Sequence, residues 1–420
     1  MDSRERKDGR TLEWLLQPFT IDEFFGSYYE RAPLHIARDR TAYYTEYFSL
    51  GEFERVLCGA EIAGDDLLVY KDGMPARPEA YLRRNGRTGK EGDAERVIID
   101  PDRVCALFAR GCSIVIDTLR AYSEPVAALC RGLEAFFGHR VNANLYFTPP
   151  KSQGFSVHYD THDTVILQIE GAKEWKVYEA AADLPLKGQK FDKRKHAPRT
   201  APRHVEMRAG DLLYLPRGFM HEAKAAEDAS LHLTLGLFPY VWSDVLAEVL
   251  ARAAESDVLL RGSAQFGALD PTELQTAVAA AFSPERLGAA VASLERRFRA
   301  ERRNGLEGQL RQLARLGELS AESTVAMRPD LVFHLDSDEG GTRLSFSGKT
   351  VILPPQGAAL VATLERGPAK IAELLAHGER ALEIARTLIE HGFAIQLPND
   401  AASTGAATNG RASASQGVPT

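Results

Sequence analysis

The stretch Ser156–Tyr178, SVHYDTHDTVILQIEGAKEWKVY, sets two histidines and two aspartates within six residues and then runs into an alternating apolar segment. Successive residues of a strand point to opposite faces, so His158 and Asp160 are expected on one face at a strand edge. So placed, an imidazole and a carboxylate are offered to a common point. Further on, GDLLYLPRGFMHEA (residues 210–223) ends a strand in a turn and presents His221. Two histidines and one carboxylate form the facial triad of non-haem iron(II) oxygenases, which leaves three positions open for cosubstrate and dioxygen. H-x-D alone is a weak signal, and its conjunction with G-D-x-x-x-x-P-x-G-x-x-H carries the reading. His162 would share the His158 face if the strand ran straight. A third ligand from one strand reaches a single metal poorly, so His162 reads as a substrate contact or a solvated loop residue.

In AKEWKVY, Lys173 falls on the Trp175 and Val177 face, the expected interior of the fold. A buried ammonium is costly unless paired. In an iron oxygenase the far carboxylate of 2-oxoglutarate supplies that partner. The alternative is a frayed strand end from which Lys173 snorkels to water. Asn144 and Tyr146 share one face of VNANLYF, opposite Val141, Ala143, Leu145 and Phe147. They are polar groups available to complete a cosubstrate pocket.

Outward from this stretch, period-two segments continue. VNANLYFTP, DTVILQIEG, KEWKVYEA, DLLYLPRG and ASLHLTLGLF are short strands between Gly and Pro turns, as in a small barrel or jelly roll. Before them, Thr20 and Glu23 form a capping-box pattern ahead of Phe24 and Phe25, and a strand is expected near Leu34–Ile36. After Tyr240 the period turns helical. Trp242, Val245, Leu246, Val249 and Leu250 mark one helix, and a second is expected from Pro284 to about Arg302. From about 328 to 398, LVFHLD, a Glu339-Gly340-Gly341 turn and RLSFSGKTVIL read as a hairpin. Helices follow, the last over Arg380–His391 and closed by Gly392, and then a short strand in FAIQLP. The expected domains are thus a disordered 1–13, a catalytic 14–239, a helical 240–327, a winged-helix-like 328–398 and a disordered tail 399–420.

Composition narrows the class. At 420 residues with 44% hydrophobic and 26% charged residues, the chain is long enough for two or three globular units. A net charge of -7 argues against a globally basic nucleic-acid binder. Cys58, Cys105, Cys112 and Cys130 show neither C-x-x-C nor zinc spacing and read as reduced core residues. No apolar run approaches a membrane span and no leader pattern opens the chain, so a cytoplasmic location is expected.

The quoted motifs, with NLYFTPPKSQGFSVHYD and SLHLTLGL beside them, resemble the JmjC-type 2-oxoglutarate oxygenases, specifically the ribosomal oxygenases, which hydroxylate ribosomal proteins. The resemblance runs over about residues 14–398. It implies a mainly β fold with α: a double-stranded β-helix (jelly-roll, cupin/JmjC) core, a helical dimerisation segment and a C-terminal winged-helix-like domain. It implies His158, Asp160 and His221 as iron(II) ligands, and Lys173 as the residue holding the far carboxylate of 2-oxoglutarate, with Asn144 and Tyr146 beside it. His162, Ser230 and His232 are the candidate substrate contacts. The implied reaction consumes dioxygen and 2-oxoglutarate, releases succinate and carbon dioxide, and hydroxylates a protein side chain. A lysine at 173 resembles the histidyl-hydroxylating members, whereas the arginyl-hydroxylating bacterial type uses arginine. The sequence departs at His162, where relatives carry an aliphatic residue, and at Gly236, where the histidyl hydroxylases have a serine. Both departures bear on the target residue.

The implied partners are a ribosomal protein and a second copy of the chain, with no membrane. The stretch KGQKFDKRKHAPRTAPRH (187–204) is the densest basic segment and reads as a solvated loop or as an attraction to RNA or an acidic surface. The last helix, ERALEIARTLIEHG, carries Arg380 and Arg386 against three glutamates, which speaks against a DNA-recognition helix. Two other functions compete. One is a JmjC demethylase or peptide-tailoring hydroxylase of the same chemistry. The other is a non-catalytic cupin ligand sensor joined to a DNA-binding winged helix, which would need neither a complete triad nor Lys173.

Overall fold

The structure is a computed structural model that describes residues 10–85, 96–263, 271–338, 341–378 and 380–398. The described chain forms two compact units that divide between Phe298 and Arg299. In the first unit the strands are β1 (Leu34–Ile36), β2 (Leu67–Lys71), β3 (Met74–Pro75), β4 (Leu82–Asn85), β5 (Arg96–Ile99), β6 (Ser113–Ile116) and β7 (Arg140–Thr148). They continue with β8 (Asp163–Glu170), β9 (Ala172–Ala180), β10 (Arg203–Arg208), β11 (Leu212–Leu215), β12 (Phe219–Ala225) and β13 (Ser230–Phe238). Its helices are α1 (Arg10–Leu16), α2 (Ile21–Ser27), α3 (Leu50–Gly59), α4 (Pro101–Ala109), α5 (Glu124–Phe137), α6 (Trp242–Ser256), α7 (Pro271–Ala281) and α8 (Pro284–Glu301), the last crossing the division.

Eight strands join in the order β1-β11-β8-β13-β7-β6-β2-β3, and a second sheet has the order β10-β9-β12, every pairing antiparallel. This is the jelly-roll arrangement expected from the period-two segments, and it is cupin-like. The alternation decides which side chains go where. On β7, Val141, Ala143 and Leu145 point into the main apolar core with the helices, while Tyr146 and Thr148 point between the sheets. β10 and β12 were not singled out by sequence, because their exposed faces carry Arg, His, Glu and Lys.

The expected disorder over residues 1–13 needs correction. α1 begins at Arg10, and Leu12, Leu15 and Leu16 are buried in the main core. Trp14 stacks on Tyr43 at 4.8 Å between ring centroids. The amphipathic RTLEWLL follows directly on a polar start, which hid it. The Thr20 capping box is present in full. Helices α6 to α8 contain the two expected ones and add α7, and their own small core joins Val249, Ala253, Ala281 and Ala290. Up to Phe298 they fall in the first unit.

The second unit holds α9 (Gln309–Ala314), β14 (Thr324–Met327), β15 (Phe333–Asp338), β16 (Gly341–Phe346), β17 (Lys349–Leu353), α10 (Gly357–Arg366), β18 (Ala369–Lys370), α11 (Ile371–Leu374), α12 (Ala381–Glu390) and β19 (Ala394–Gln396). The expected hairpin is β15–β16, with β17 beside it. Its turn residues Glu339 and Gly340 lie outside the described residues, as do residues 1–9 of the expected disordered start and the whole expected tail 399–420. Gly392, at φ +73°, turns the chain just past α12 into β19.

One buried and one half-buried ion pair lock the start of β8 against the β11–β12 turn. The Arg217 guanidinium bonds Asp163 at 2.7 Å and Glu30 at 2.6 Å, and Tyr214 donates its hydroxyl to Asp163 at 3.0 Å. Asp163 and Arg217 are both buried. Removing one partner would leave the other charge buried and unpaired, which costs about 3–5 kcal/mol. Arg217→Ala is therefore expected to lower unfolding stability by about that amount in urea titration. A loss below about 1 kcal/mol would show that this pair does not hold the turn.

Candidate metal centre and cosubstrate cavity

His158 and Asp160 lie in the loop leading into β8, not on a strand face as the alternation argument has it. Other forces align them. The His158 amide donates to the His221 carbonyl at 3.1 Å, and the His221 amide returns the bond at 2.8 Å. The Gly218 amide donates to the Asp160 carbonyl at 3.0 Å. The loop thus docks edge-on along the start of β12. Gly218 is required there: at φ +90°, a Cβ would sit 1.9 Å from the Ala182 carbonyl oxygen. Gly210, at φ +95°, is held equally tightly, with Arg40 O 2.2 Å from a would-be Cβ. Asp211 accepts from the amides of Arg38 (2.7 Å) and Arg208 (2.8 Å). The G-D-x-x-x-x-P-x-G-x-x-H pattern is thus a device for turning β11 into β12 with His221 facing inward.

One ligand atom each from His158, Asp160 and His221 lies within 4.8 Å of the others. The imidazole of His158 donates Nδ1–H to Ser156 O at 2.8 Å, and that of His221 donates Nδ1–H to Phe219 O at 3.0 Å. In each ring this leaves Nε2 as the lone-pair donor to the centre, the usual outer-sphere arrangement of a metal histidine. Burial, then the neighbouring His158, pushes His221 down to about 4, so its ring is neutral and ready to ligate. Enclosure works to raise the Asp160 carboxyl, but His221, His162 and His158 outweigh it and leave it below its ordinary range. A neutral N, N and anionic O set on one side of a cavity suits a single divalent ion with open positions.

The three ligands line a cavity of about 340 Å³. Lys173 sits in the same cavity, 4% exposed, on the Trp175 and Val177 face of β9. It does not snorkel. Its ammonium donates to Thr148 Oγ1 at 3.1 Å and lies 3.5 Å from His232 Nδ1. Among the described residues no carboxylate pairs with it. Desolvation brings Lys173 down to about 7. The Trp175 indole N–H is also buried without a partner and lines the cavity. A buried cation and an orphaned donor facing a void mark a place built for an anionic oxygen-rich group.

The other candidates are sorted differently. Tyr146 lines the cavity and is hydrogen-bonded to Asn144. Asn144 does not itself line the cavity: its Oδ1 accepts from the Thr118 amide and from Asn142 Nδ2. It positions Tyr146. His232 stacks on Tyr146 at 4.8 Å and lies beside Lys173, with Nδ1 3.5 Å from the ammonium. Ser230 is buried against Gln168 Nε2 at 2.8 Å, off the cavity. His162 stays out of the triad and stacks on Phe238 at 4.5 Å, directly over Gly236. A Cβ at Gly236 would meet the His162 ring at 2.9 Å, so the two departures from the resemblance fill each other's space. Sequence reasoning missed Thr148, although it shares the parity of Asn144 and Tyr146.

These features define a cupin-like antiparallel β fold with a two-histidine, one-carboxylate centre. Residues 119–245 match the JmjC domain family. It is similar to ribosomal oxygenase 1 of Danio rerio, 32% identical over 260 residues, and to that of Homo sapiens, 31% over 259. It is also similar to the bifunctional lysine-specific demethylase and histidyl-hydroxylase NO66 of Dictyostelium discoideum, 31% over 260. Each match takes in 60% of this chain and 45%, 38% and 48% of those proteins, so the chain spans less than half the length of these relatives. Among solved structures, Escherichia coli ycfD aligns over 90% of this chain and 99% of its own, with a TM-score of 0.52 at 15% identity. A second structure, of YcfD as a ribosomal oxygenase from that organism, aligns at 0.51 and 17%, over 90% and 98%. These two likenesses speak for the fold.

His221→Ala is expected to weaken Mn(II) or Co(II) binding by more than about 100-fold, beyond what loss of an outer partner costs. The far-ultraviolet circular dichroism should not change, because the His158–His221 bridge is made by backbone. Calorimetric titration checks this, and unchanged metal affinity would remove His221 from the ligand set.

Proposed function

We propose that the protein is an iron(II)- and 2-oxoglutarate-dependent oxygenase that hydroxylates a side chain of a ribosomal protein. The observation that carries this is the pairing, in one cavity, of a three-ligand centre with a buried lysine that has only neutral partners. Iron held by His158, Asp160 and His221, together with 2-oxoglutarate, supplies hydroxylation of a C–H bond by dioxygen, coupled to decarboxylation of the cosubstrate to succinate. The protein's own work is positional. Lys173, with Thr148 and Trp175 beside it, holds the far carboxylate, and Tyr146 and His232 wall that end. Ile166 and Ala223 help to exclude water around the site.

The relatives and the YcfD structures named as ribosomal oxygenases support the ribosomal substrate. One YcfD structure holds cobalt and 2-oxoglutarate, which supports the cofactor pair. The relatives named as both demethylase and histidyl-hydroxylase keep demethylation as the competing reaction. A sensor without catalysis fits less well. It needs neither a complete triad nor a buried lysine, and the second unit's last helix is not basic, with Arg380 paired to Glu383.

The second unit is read as winged-helix-like, from its β15–β17 wing and helices α10 to α12, with a structural or protein-contact role and no direct DNA binding. A homodimer through α6 to α8 fits the apolar stripe Trp242, Leu246 and Leu250, with Trp242 81% exposed, while Val249 and Ala253 serve the helices' own core. Among the described residues no helix is long and apolar enough to cross a membrane. All four cysteines are free, which suits the reducing cytoplasm; Cys58 and Cys105 are exposed and not core residues as sequence suggested. The loop between β9 and β10, which holds the basic segment, is tied to the site by Tyr159. That residue donates its hydroxyl to Gln189 O at 2.9 Å and packs on Phe191 and His196, while the lysines face solvent.

The direct test is succinate formation by the protein with Fe(II), 2-oxoglutarate and oxygen, with and without ribosomal proteins. Stimulation with a one-oxygen mass gain on one peptide is expected. Loss of a methyl group would favour demethylation, and no turnover with iron bound would favour the sensor. Lys173 gives a pH signature. Its pKa in the empty cavity is lowered to about 7, and a bound carboxylate raises it. Cosubstrate affinity should therefore be full below pH 7 and fall about tenfold per unit as pH rises above it. Lys173→Ala should raise the 2-oxoglutarate KM and abolish that slope. A normal KM would show that another residue holds the carboxylate. Sedimentation should find a dimer that Trp242→Asp dissociates, and a monomeric wild type would sink the dimer reading.

A further inference from the structure

Three carboxylates line the cavity: Asp160, Glu222 and Asp117. Asp160 serves the metal centre. Glu222 is spoken for by the Tyr178 hydroxyl at 2.8 Å, Gln153 Nε2 at 3.1 Å and Lys176 at 3.6 Å. Asp117 is different. It follows directly on β6 and is fixed by its own amide, which donates to Asp66 O at 2.8 Å. Among the described residues, no side chain hydrogen-bonds or ion-pairs with its carboxylate. The neighbouring Asp66 does not share this condition, since it accepts from the Tyr122 hydroxyl at 2.6 Å and the Thr118 hydroxyl at 3.3 Å.

The wall between Asp117 and the metal ligands is aromatic. Tyr70 packs on Phe155 at 4.4 Å between centroids, Phe155 meets Tyr146 edge-on at 5.8 Å, and Phe155 lies 6.0 Å from the His158 ring. All four rings line the cavity. Flat faces leading from an unpaired acceptor to a metal centre fit a side chain that is planar or cationic and carries N–H donors. Burial, then Asp66, raises the Asp117 carboxyl above its ordinary range, as expected for an anion still lacking its counter-charge.

We infer that Asp117 is a specificity-determining residue that accepts a hydrogen bond from the N–H group of a basic substrate side chain lying along Tyr70 and Phe155. The inference rests on the oxygenase reading for the role of that side chain, and it adds the residue that selects it. Asp117 holds the end of the side chain while the carbon to be oxidised faces the metal ligands. A neutral side chain of the same shape would leave the half-buried carboxylate without a partner, which is how a site of this kind disfavours it.

The test uses small probes on the full-length protein loaded with Zn(II). Methylguanidinium is compared with the neutral isostere N-methylurea by ligand-observed NMR, in the wild type, Asp117→Asn and Asp117→Ala. Methylguanidinium should bind the wild type at least about tenfold more tightly than N-methylurea. Both substitutions should abolish that preference. Equal binding of the two probes to the wild type, or a preference that survives in both variants, would overturn the inference. Titration of 2-oxoglutarate into the same samples tests the oxygenase reading separately. Failure of cosubstrate binding in the wild type would count against that reading, while the probe preference would still report on Asp117.

Discussion

Two backbone hydrogen bonds between His158 and His221 set the geometry on which the site depends. They join a loop to the first residues of a strand that lies more than sixty positions further on, and they place two imidazoles with ring centroids 4.5 Å apart. Alone, the loop before β8 would have no reason to present His158 and Asp160 to the same point. The Arg217–Asp163–Glu30 cluster fixes the turn on one side, and the Gly218 amide fixes Asp160 on the other. Each ring is then oriented by a carbonyl two residues before it. The ligands are thus positioned by backbone hydrogen bonds and not by contacts among their own side chains.

The opposite end of the cavity is governed by desolvation. A lysine kept 4% exposed with only a threonine hydroxyl and an imidazole for company is an unfavourable arrangement by itself. It persists because the β-sheets that bury it are held by a core that does not include it. The cost becomes useful when a carboxylate arrives, because the interaction is then made in a site from which water is already excluded. The same logic applies to Asp117 at the side of the cavity. The chamber carries charges of both signs, and on the proposed reading ligands bring in their partners.

Much of this was legible in the sequence, for identifiable reasons. Strand alternation placed Lys173 correctly with Trp175 and Val177, because β9 is a straight strand between two partners. The triad was found for a partly mistaken reason. His158 and Asp160 share a target because the loop docks on β12, not because they share a strand face. Ser230, a candidate substrate contact, is buried against Gln168 away from the cavity. Asn144 was assigned to the right strand face but stops short of the cavity, held back by Thr118. α1 was lost to its polar surroundings. Asp117 carried no local signal at all. It is an unremarked acid after a buried strand, and only the sheet order β7-β6-β2 brings it to the same chamber as residues from far down the chain.

The central claim is that one end of the cavity binds a metal and the other end a carboxylate charged against Lys173. It is tested most directly by calorimetric titration of 2-oxoglutarate into Mn(II)-loaded protein at pH 8, in two buffers of different ionisation enthalpy. With Lys173 at about 7 before binding and raised by the ligand, binding should take up close to one proton from the buffer. That uptake should disappear in Lys173→Met. Binding without proton uptake, or uptake that survives the substitution, would contradict the account.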